Sequence, residues 1–265
     1  MVGPLCHTCE VRHAQSDTAP VSVVGRTMKI LTSFQDDETT LSLAELSRRA
    51  ELPKSTTHRL LKELGAWGIV ETTESGVTLG MRMFELGQLV PRQRELREVT
   101  APILDKLHRD TGLAVHLAVL QETEVLYLDK LITAGGPQLP SRVGGRMPAY
   151  CTAVGKAMLA FSGPHLIDRA LRAAKEHRTT GPALMTGMLA RELDVVRTKG
   201  FALDREESTR GVVCVAVPIM GEAGQVIAAI SVSGWSPQIQ PARIVPLLRA
   251  AAAASGRAAC KPAAV

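Results

Sequence analysis

Apolar residues recur through the first ninety positions at helical spacing, broken by short polar intervals. Residues 43–67 show this most clearly. Leu43, Ala44, Leu46 and Ala50 mark one apolar stripe and Leu60, Leu61 and Leu64 a second, the pattern of two short helices joined by a tight turn. Pro53 stands where the second helix begins, because its fixed φ suits a first turn and its missing N–H would be unpaired there. Ahead of this pair, Val23, Met28, Ile30 and Leu31 space out a helix over residues 22–34 with Ser22 as its cap. Behind it, residues 69–72 and 77–79 read as two short strands joined across Glu74–Gly76, followed by an apolar helix over 80–90.

What the second helix turns away from its stripe changes the picture. Lys54, Ser55, Thr56, His58, Arg59 and Lys62 are cationic and hydroxyl donors, the groups that phosphate oxygens and base edges require. Such a set taken alone is most often a solvated helix face. Placed on the second helix of a tight pair and followed by a hairpin, it makes a winged helix-turn-helix. Lys54, Ser55 and Thr56, near the helix start, are expected to approach bases, with Arg59 on phosphate and His58 and Arg26 as further contacts. The hairpin tip offers Glu74 where a phosphate-touching wing carries Arg or Lys, which puts the wing's contribution in doubt.

The pattern changes after residue 90. Residues 92–110 carry Leu96, Val99, Ile103, Leu104 and Leu107 and read as a long linker helix. Strands at 114–120 and 125–131 form a hairpin, and a Gly- and Pro-rich loop runs over 134–148. Helices at 153–161, 164–174 and 186–199 precede strands at 201–205, 212–218 and 226–232, and a helix over 243–255 closes the chain. An antiparallel sheet with helices grouped around it is α+β. The domains are expected as a polar, disordered tail (1–20), the winged helix-turn-helix (21–90), a linker helix (91–111) and the α+β domain (112–258).

Composition narrows the class. The chain has 265 residues, 45% of them hydrophobic and only 3% aromatic, so Leu, Val, Ala and Met must fill its cores. Nothing resembles a membrane span or a secretion signal, and five scattered cysteines fit a reducing cytoplasm. The net charge of +5 is a poor guide to nucleic acid. Residues 20–90 hold eight Lys/Arg against nine Asp/Glu, a net of −1, so DNA affinity must come from a local cationic face. Cys6, His7, Cys9 and His13 are metal-ligand types in the tail, but no matching pair lies at ligand spacing and no apolar residues support a knuckle. No metal or cofactor is expected.

The run LPKSTTHRLLKELGAWGIVE resembles the recognition helix and following strand of the IclR family of bacterial transcription regulators, and the likeness extends from about Val21 to the last helix. The resemblance implies a GAF-like ligand-binding second domain, a homodimer or homotetramer assisted by the linker helix, and more commonly repression than activation. Three segments resemble the family's effector site: GGRMPAYCTAVGKAMLA (144–160), GFALDREESTRGVVCVAVP (200–218) and AAISVSG (228–234). By that resemblance Met147, Ala153, Val154, Asp204, Cys214, Ser231 and Ser233 line a pocket for a small organic acid.

Physical chemistry independently favours a small anion. Thr152 is placed to cap the helix at Ala153, whose N-terminus presents unpaired N–H groups, and Ser231 and Ser233 share one strand face. Asp204 would repel a carboxylate unless it is protonated, or accepts a ligand hydroxyl while Arg142, Arg146 or Arg210 offsets its charge. The same residues admit two other uses. Cys151 or Cys214 with His116 would make a nucleophile and base, but no third orienting group is evident and His116 sits in an alternating strand. Redox sensing through Cys151 or Cys214 is the alternative to ligand sensing.

Overall fold

The computed structural model describes residues 22–35, 38–176 and 186–260. The tail with Cys6, His7, Cys9 and His13 falls outside them. The chain divides into two compact units, the change falling between Arg94 and Glu95.

The first unit begins with α1 (Val23–Leu31), whose cap Ser22 accepts the Gly25 N–H at 3.0 Å. Helix α2 (Leu43–Arg49) is capped in the same way by Ser42. Helix α3 (Lys54–Ala66) has Pro53 at its cap with φ −58°, one position earlier than the first-turn place expected of it. Between them, Glu51 adopts φ 55° and the Leu52 N–H returns to the Ser47 carbonyl, a left-handed helix stop built without glycine. Buried Ser47 donates to Thr57 Oγ1 at 3.0 Å and so fastens α2 to α3 from inside. Strands β1 (Val70–Thr73) and β2 (Gly76–Leu79) pair with Thr73 opposite Gly76, so the wing turns on Glu74 and Ser75. Ile30, Leu46, Leu60, Val70 and Val77 meet in one core. Helix α4 (Met81–Gln88) buries none of its residues.

Helix α5 (Pro91–Thr111) crosses the change between units. From Glu95 onward the second unit is a six-stranded antiparallel sheet. Its strands are β3 (Ala114–Gln121), β4 (Glu124–Leu131), β5 (Arg146–Pro148), β6 (Ala202–Arg205), β7 (Val212–Met220) and β8 (Val226–Trp235), in spatial order β5-β4-β3-β8-β7-β6. Strand β5 lies in residues expected to be loop. Its three residues pair with β4, Met147 opposite Val125, and three positions are too few to show an alternation.

Both faces of the sheet are covered. Val115, Leu117, Val215, Val217, Ile230 and Val232 pack on Leu104 and Leu107 of α5 and on Ile244 and Leu248 of α9 (Pro241–Ala259). The other face carries Ala118, Ala216 and Ala229 against α6 (Ala153–Leu159), α7 (Pro164–Glu176) and α8 (Thr186–Lys199). Helix α6 is buried throughout, and Gly155 lets it lie directly against the backbone of the preceding turn at Ala149. A Cβ there would stand 2.2 Å from the Ala149 carbonyl oxygen and 2.4 Å from its Cα.

Candidate functional sites: an exposed helix and a buried pocket

Helix α3 sorts its residues by face. Thr57, Leu60 and Leu61 are buried, whereas Lys54, Ser55, His58, Arg59 and Lys62 are exposed and Thr56 is half-buried. Arg26 lies on α1, also half-buried. Arg59 already meets Glu63 one turn on, at 3.1 Å. Other arginines of this unit are more firmly committed. Glu45 accepts from both Arg48 and Arg49, which hold its carboxyl at about 2, well below the ordinary range. Arg49 also pairs with Glu38. The local cationic face is therefore that of α3 itself, with Lys54 and Lys62 at its two ends.

In the second unit a pocket opens on the α6 face of the sheet. Met147, Ala153, Val154, Asp204, Cys214, Ser231 and Ser233 all line it, and its walls leave about 320 Å³ of empty space, the open mouth included. Strand register explains how distant positions meet. Asp204 pairs with Cys214, Cys214 with Ser233, and Ser233 with Ala114, so one row crosses β6, β7, β8 and β3. The next row sets His116 opposite Ser231. Across from these rows, Ala153 and Val154 stand in the first turn of α6. Thr152 accepts the Gly155 N–H at 3.2 Å, and a helix's first turn leaves its other N–H groups without intrahelical acceptors.

The pocket also contains residues that sequence reasoning passed over: Tyr127, Leu139, Pro140, Ser141 and Ser208, together with His116, read there as structural. His116 Nε2 lies 2.9 Å from Ser141 Oγ, and its ring stands edge-on to Tyr127 with centroids 5.4 Å apart. Burial, reinforced by the charge of Lys130, pushes His116 down to about 3, so the ring is neutral at physiological pH. Lys130 donates to the carbonyls of Leu139 and Ser141 and braces this loop over the pocket. Nothing local marks Leu139–Ser141 as a wall. Only the pairing of β3 with β4 and β8 brings His116 beneath it.

Asp204 is buried, with 1% of its surface exposed. One carboxylate oxygen accepts the Glu207 N–H at 2.8 Å and the Ser208 N–H at 3.4 Å, and the other accepts the Ser208 hydroxyl. Desolvation raises its pKa, while these bonds and the charge of Lys156 oppose the rise. The expected arginine compensators give way to that lysine. Arg146 pairs with Glu124 at 3.4 Å, and Arg142 and Arg210 are exposed.

The redox alternative finds no support. Desolvation, followed by the charge of Asp204, drives the Cys214 thiol far above its ordinary value and keeps it protonated. Cys151 is buried and donates to the Pro148 carbonyl at 3.6 Å.

A winged helix-turn-helix followed by an α+β domain of this build defines a DNA-binding transcription regulator. The chain belongs to the IclR family: residues 23–74 match the IclR helix-turn-helix domain, and residues 88–259 match the bacterial transcriptional regulator IclR C-terminal domain. It is 34% identical over 228 residues to the HTH-type transcriptional regulator XynR of Escherichia coli (strain K12), covering 84% of this chain and 90% of that one. It is 30% identical over 232 residues to the transcriptional repressor IclR of the same organism, covering 86% and 85%. Among solved structures, an IclR homolog from Microbacterium hydrocarbonoxydans complexed with 4-hydroxybenzoate superposes with a TM-score of 0.82 at 31% identity, covering 90% of this chain and 99% of that one. These families and relatives are transcription regulators, not enzymes. Among the described residues no helix is long and apolar enough to cross a membrane.

Proposed function

We propose that this protein is a ligand-responsive regulator, a repressor in the absence of its effector, whose second domain senses a small organic acid. The observation that carries the reading is the pocket itself. Seven positions from three separated segments converge on one polar-floored cavity, in a fold shared with a relative solved in complex with 4-hydroxybenzoate. The effector's carboxylate faces the first-turn N–H groups of α6 at Ala153 and Val154. Its far end meets Ser231, Ser233 and the Asp204–Ser208 turn, and Met147 and Tyr127 wall its body. Among the described residues no Lys or Arg lines the pocket, so one carboxylate is accommodated by N–H and hydroxyl donors and a second would stand uncompensated. DNA is read by α3, with Lys54, Ser55 and Thr56 towards bases and Arg59 on phosphate. Because one such helix meets few base pairs, the protein binds its operator as a dimer or tetramer.

A calorimetric screen of small organic acids, followed by titration of variants, tests the pocket. A lost hydrogen bond between neutral groups costs roughly 0.5–1.5 kcal/mol, or about 2- to 12-fold in affinity. Ser231→Ala and Ser233→Ala should each weaken the effector by that order while operator binding without effector stays near the parent's. Parent-like effector binding by both variants would place the ligand elsewhere.

A further inference from the structure

Lys156 is the largest fully buried side chain among the described residues, with no exposed surface, yet it does not line the pocket. Its Nζ lies 2.6 Å from Glu207 Oε1 and 2.8 Å from Glu192 Oε1 of α8. Glu207 belongs to the turn that holds Asp204. Its N–H donates to Asp204 Oδ1 at 2.8 Å, and its Oε1 also accepts the Arg205 N–H at 3.2 Å. Ala153 and Val154, on the opposite wall, sit on the same short helix as Lys156. One buried cation thus reaches both walls from behind.

The charges around it do not balance. Lys156 faces three carboxyl groups, those of Glu192, Glu207 and Asp204. Glu192 keeps 25% of its side chain in solvent, which screens it. Glu207 is more enclosed, and its Oε2 is buried without a hydrogen-bond partner. Desolvation raises Glu207 first of all; the charge and hydrogen bond of Lys156 oppose the rise, and the charges of Asp204 and Glu192 add to it. Asp204, by contrast, receives three donors on its two oxygens, the geometry of an ionised carboxylate. The other titratable groups on this face are Cys214, kept as the thiol, and neutral His116, so neither supplies a charge.

We propose that Lys156 is the positioning and specificity-determining residue of the pocket: through Glu207 it fixes the Asp204–Ser208 turn against α6, and its charge keeps Asp204 the acceptor that selects an acid bearing a hydroxyl. The selection rests on the effector reading above; the coupling of Lys156 to Asp204 does not. An ionised Asp204 accepts a bond from a ligand hydroxyl and repels a second carboxylate. The surplus proton of the cluster resides on Glu207, whose outer oxygen has no donor to lose.

The test is infrared titration of the ligand-free full chain, with the Asp204 carboxyl band identified by its loss in Asp204→Asn. Glu207→Gln replaces the protonated acid by a neutral amide and keeps the lysine, so the Asp204 midpoint should stay near the parent's. The double change Lys156→Gln with Glu207→Gln keeps two neutral hydrogen-bonding side chains in place and should raise that midpoint above the single variant's by about one pH unit. Equal midpoints in the single and double variants would overturn the proposal, and so, whether or not the double variant folds, would a fall in Glu207→Gln, which would show Glu207 ionised and the surplus proton elsewhere. Calorimetry with 4-hydroxybenzoate, benzoate and terephthalate adds the selectivity. The parent should prefer the hydroxy acid, and the double variant should lose about tenfold of that preference. Equal preference in parent and double variant would remove Lys156 as the determinant. Binding of none of the three counts against the effector reading, while the titration still decides the coupling.

Discussion

Helix α3 presents Lys54, Ser55, His58 and Arg59 within six consecutive positions, whereas the pocket takes Met147 from β5, Ala153 from α6, Asp204 from β6 and Ser231 from β8. Their electrostatics differ in the same way. The ion pair of α3, Arg59 with Glu63, is exposed to water on both partners, which limits it to well under about 1 kcal/mol. The Lys156 cluster is enclosed, so its charges act strongly on one another and each depends on the rest. Chemistry displayed along one helix is robust to single changes, and chemistry assembled by a sheet is not. Single changes in the pocket domain should therefore cost more than single changes on α3.

The largest effect is expected of Gly155→Ala. The new Cβ meets backbone atoms of Ala149, which cannot rotate away, so the second domain should lose more than about 3 kcal/mol and in calorimetry melt well below the parent. The winged helix-turn-helix should retain its own transition. A single parent-like transition for the whole chain would mean that α6 shifts freely and that the pocket is not rigidly built.

Acid sharpens the comparison next. His116 takes up a proton near pH 3 when folded but near 6.5 when unfolded, so in that window the unfolded chain binds more protons and stability falls as pH falls. At pH 4 the deficit is on the order of 3 kcal/mol for this one group. Asp204 and Glu207, raised by burial, act in the opposite sense: they hold protons more tightly when folded, and their contribution is lost as pH rises through their folded values. Subtracting the pH profile of His116→Gln from the parent's isolates the histidine. A difference that does not change between pH 7 and 4 would show that the ring is solvated.

Arg59→Ala is the mildest. Loss of its exposed pair with Glu63 should move stability by less than about 0.5 kcal/mol. Operator binding should weaken about equally on specific and random duplexes, with the salt slope smaller by about one unit. An unchanged slope removes Arg59 from the phosphate contacts.

How much of this was legible beforehand follows from the range of each interaction. Helices α2 and α3 and the wing declare themselves through 3.6- and two-residue spacings, and Ser22 and Thr152 cap the helices that begin just after them, because those signals lie within one turn of the element they specify. Strand β5 is too short to carry a period of its own and exists only because β4 offers it an edge. Arg142, Arg146 and Arg210 were the candidate counter-charges for Asp204, yet Lys156, 48 positions away and enclosed in α6, fills that part.

The sequence by itself determined the two folds, the exposed donors of α3 and the seven pocket positions, the last through their resemblance to a known family. Tertiary structure alone decided that His116 and the Leu139–Ser141 loop join those seven, that Cys214 is held as a protonated thiol, and that a buried lysine stands behind the pocket. The physical reason is burial. Removal from water lifts the thiol and the carboxyls, lowers the imidazole and makes a distant ammonium the neighbour that matters. Burial belongs to strand order and helix packing, which no local run of residues encodes.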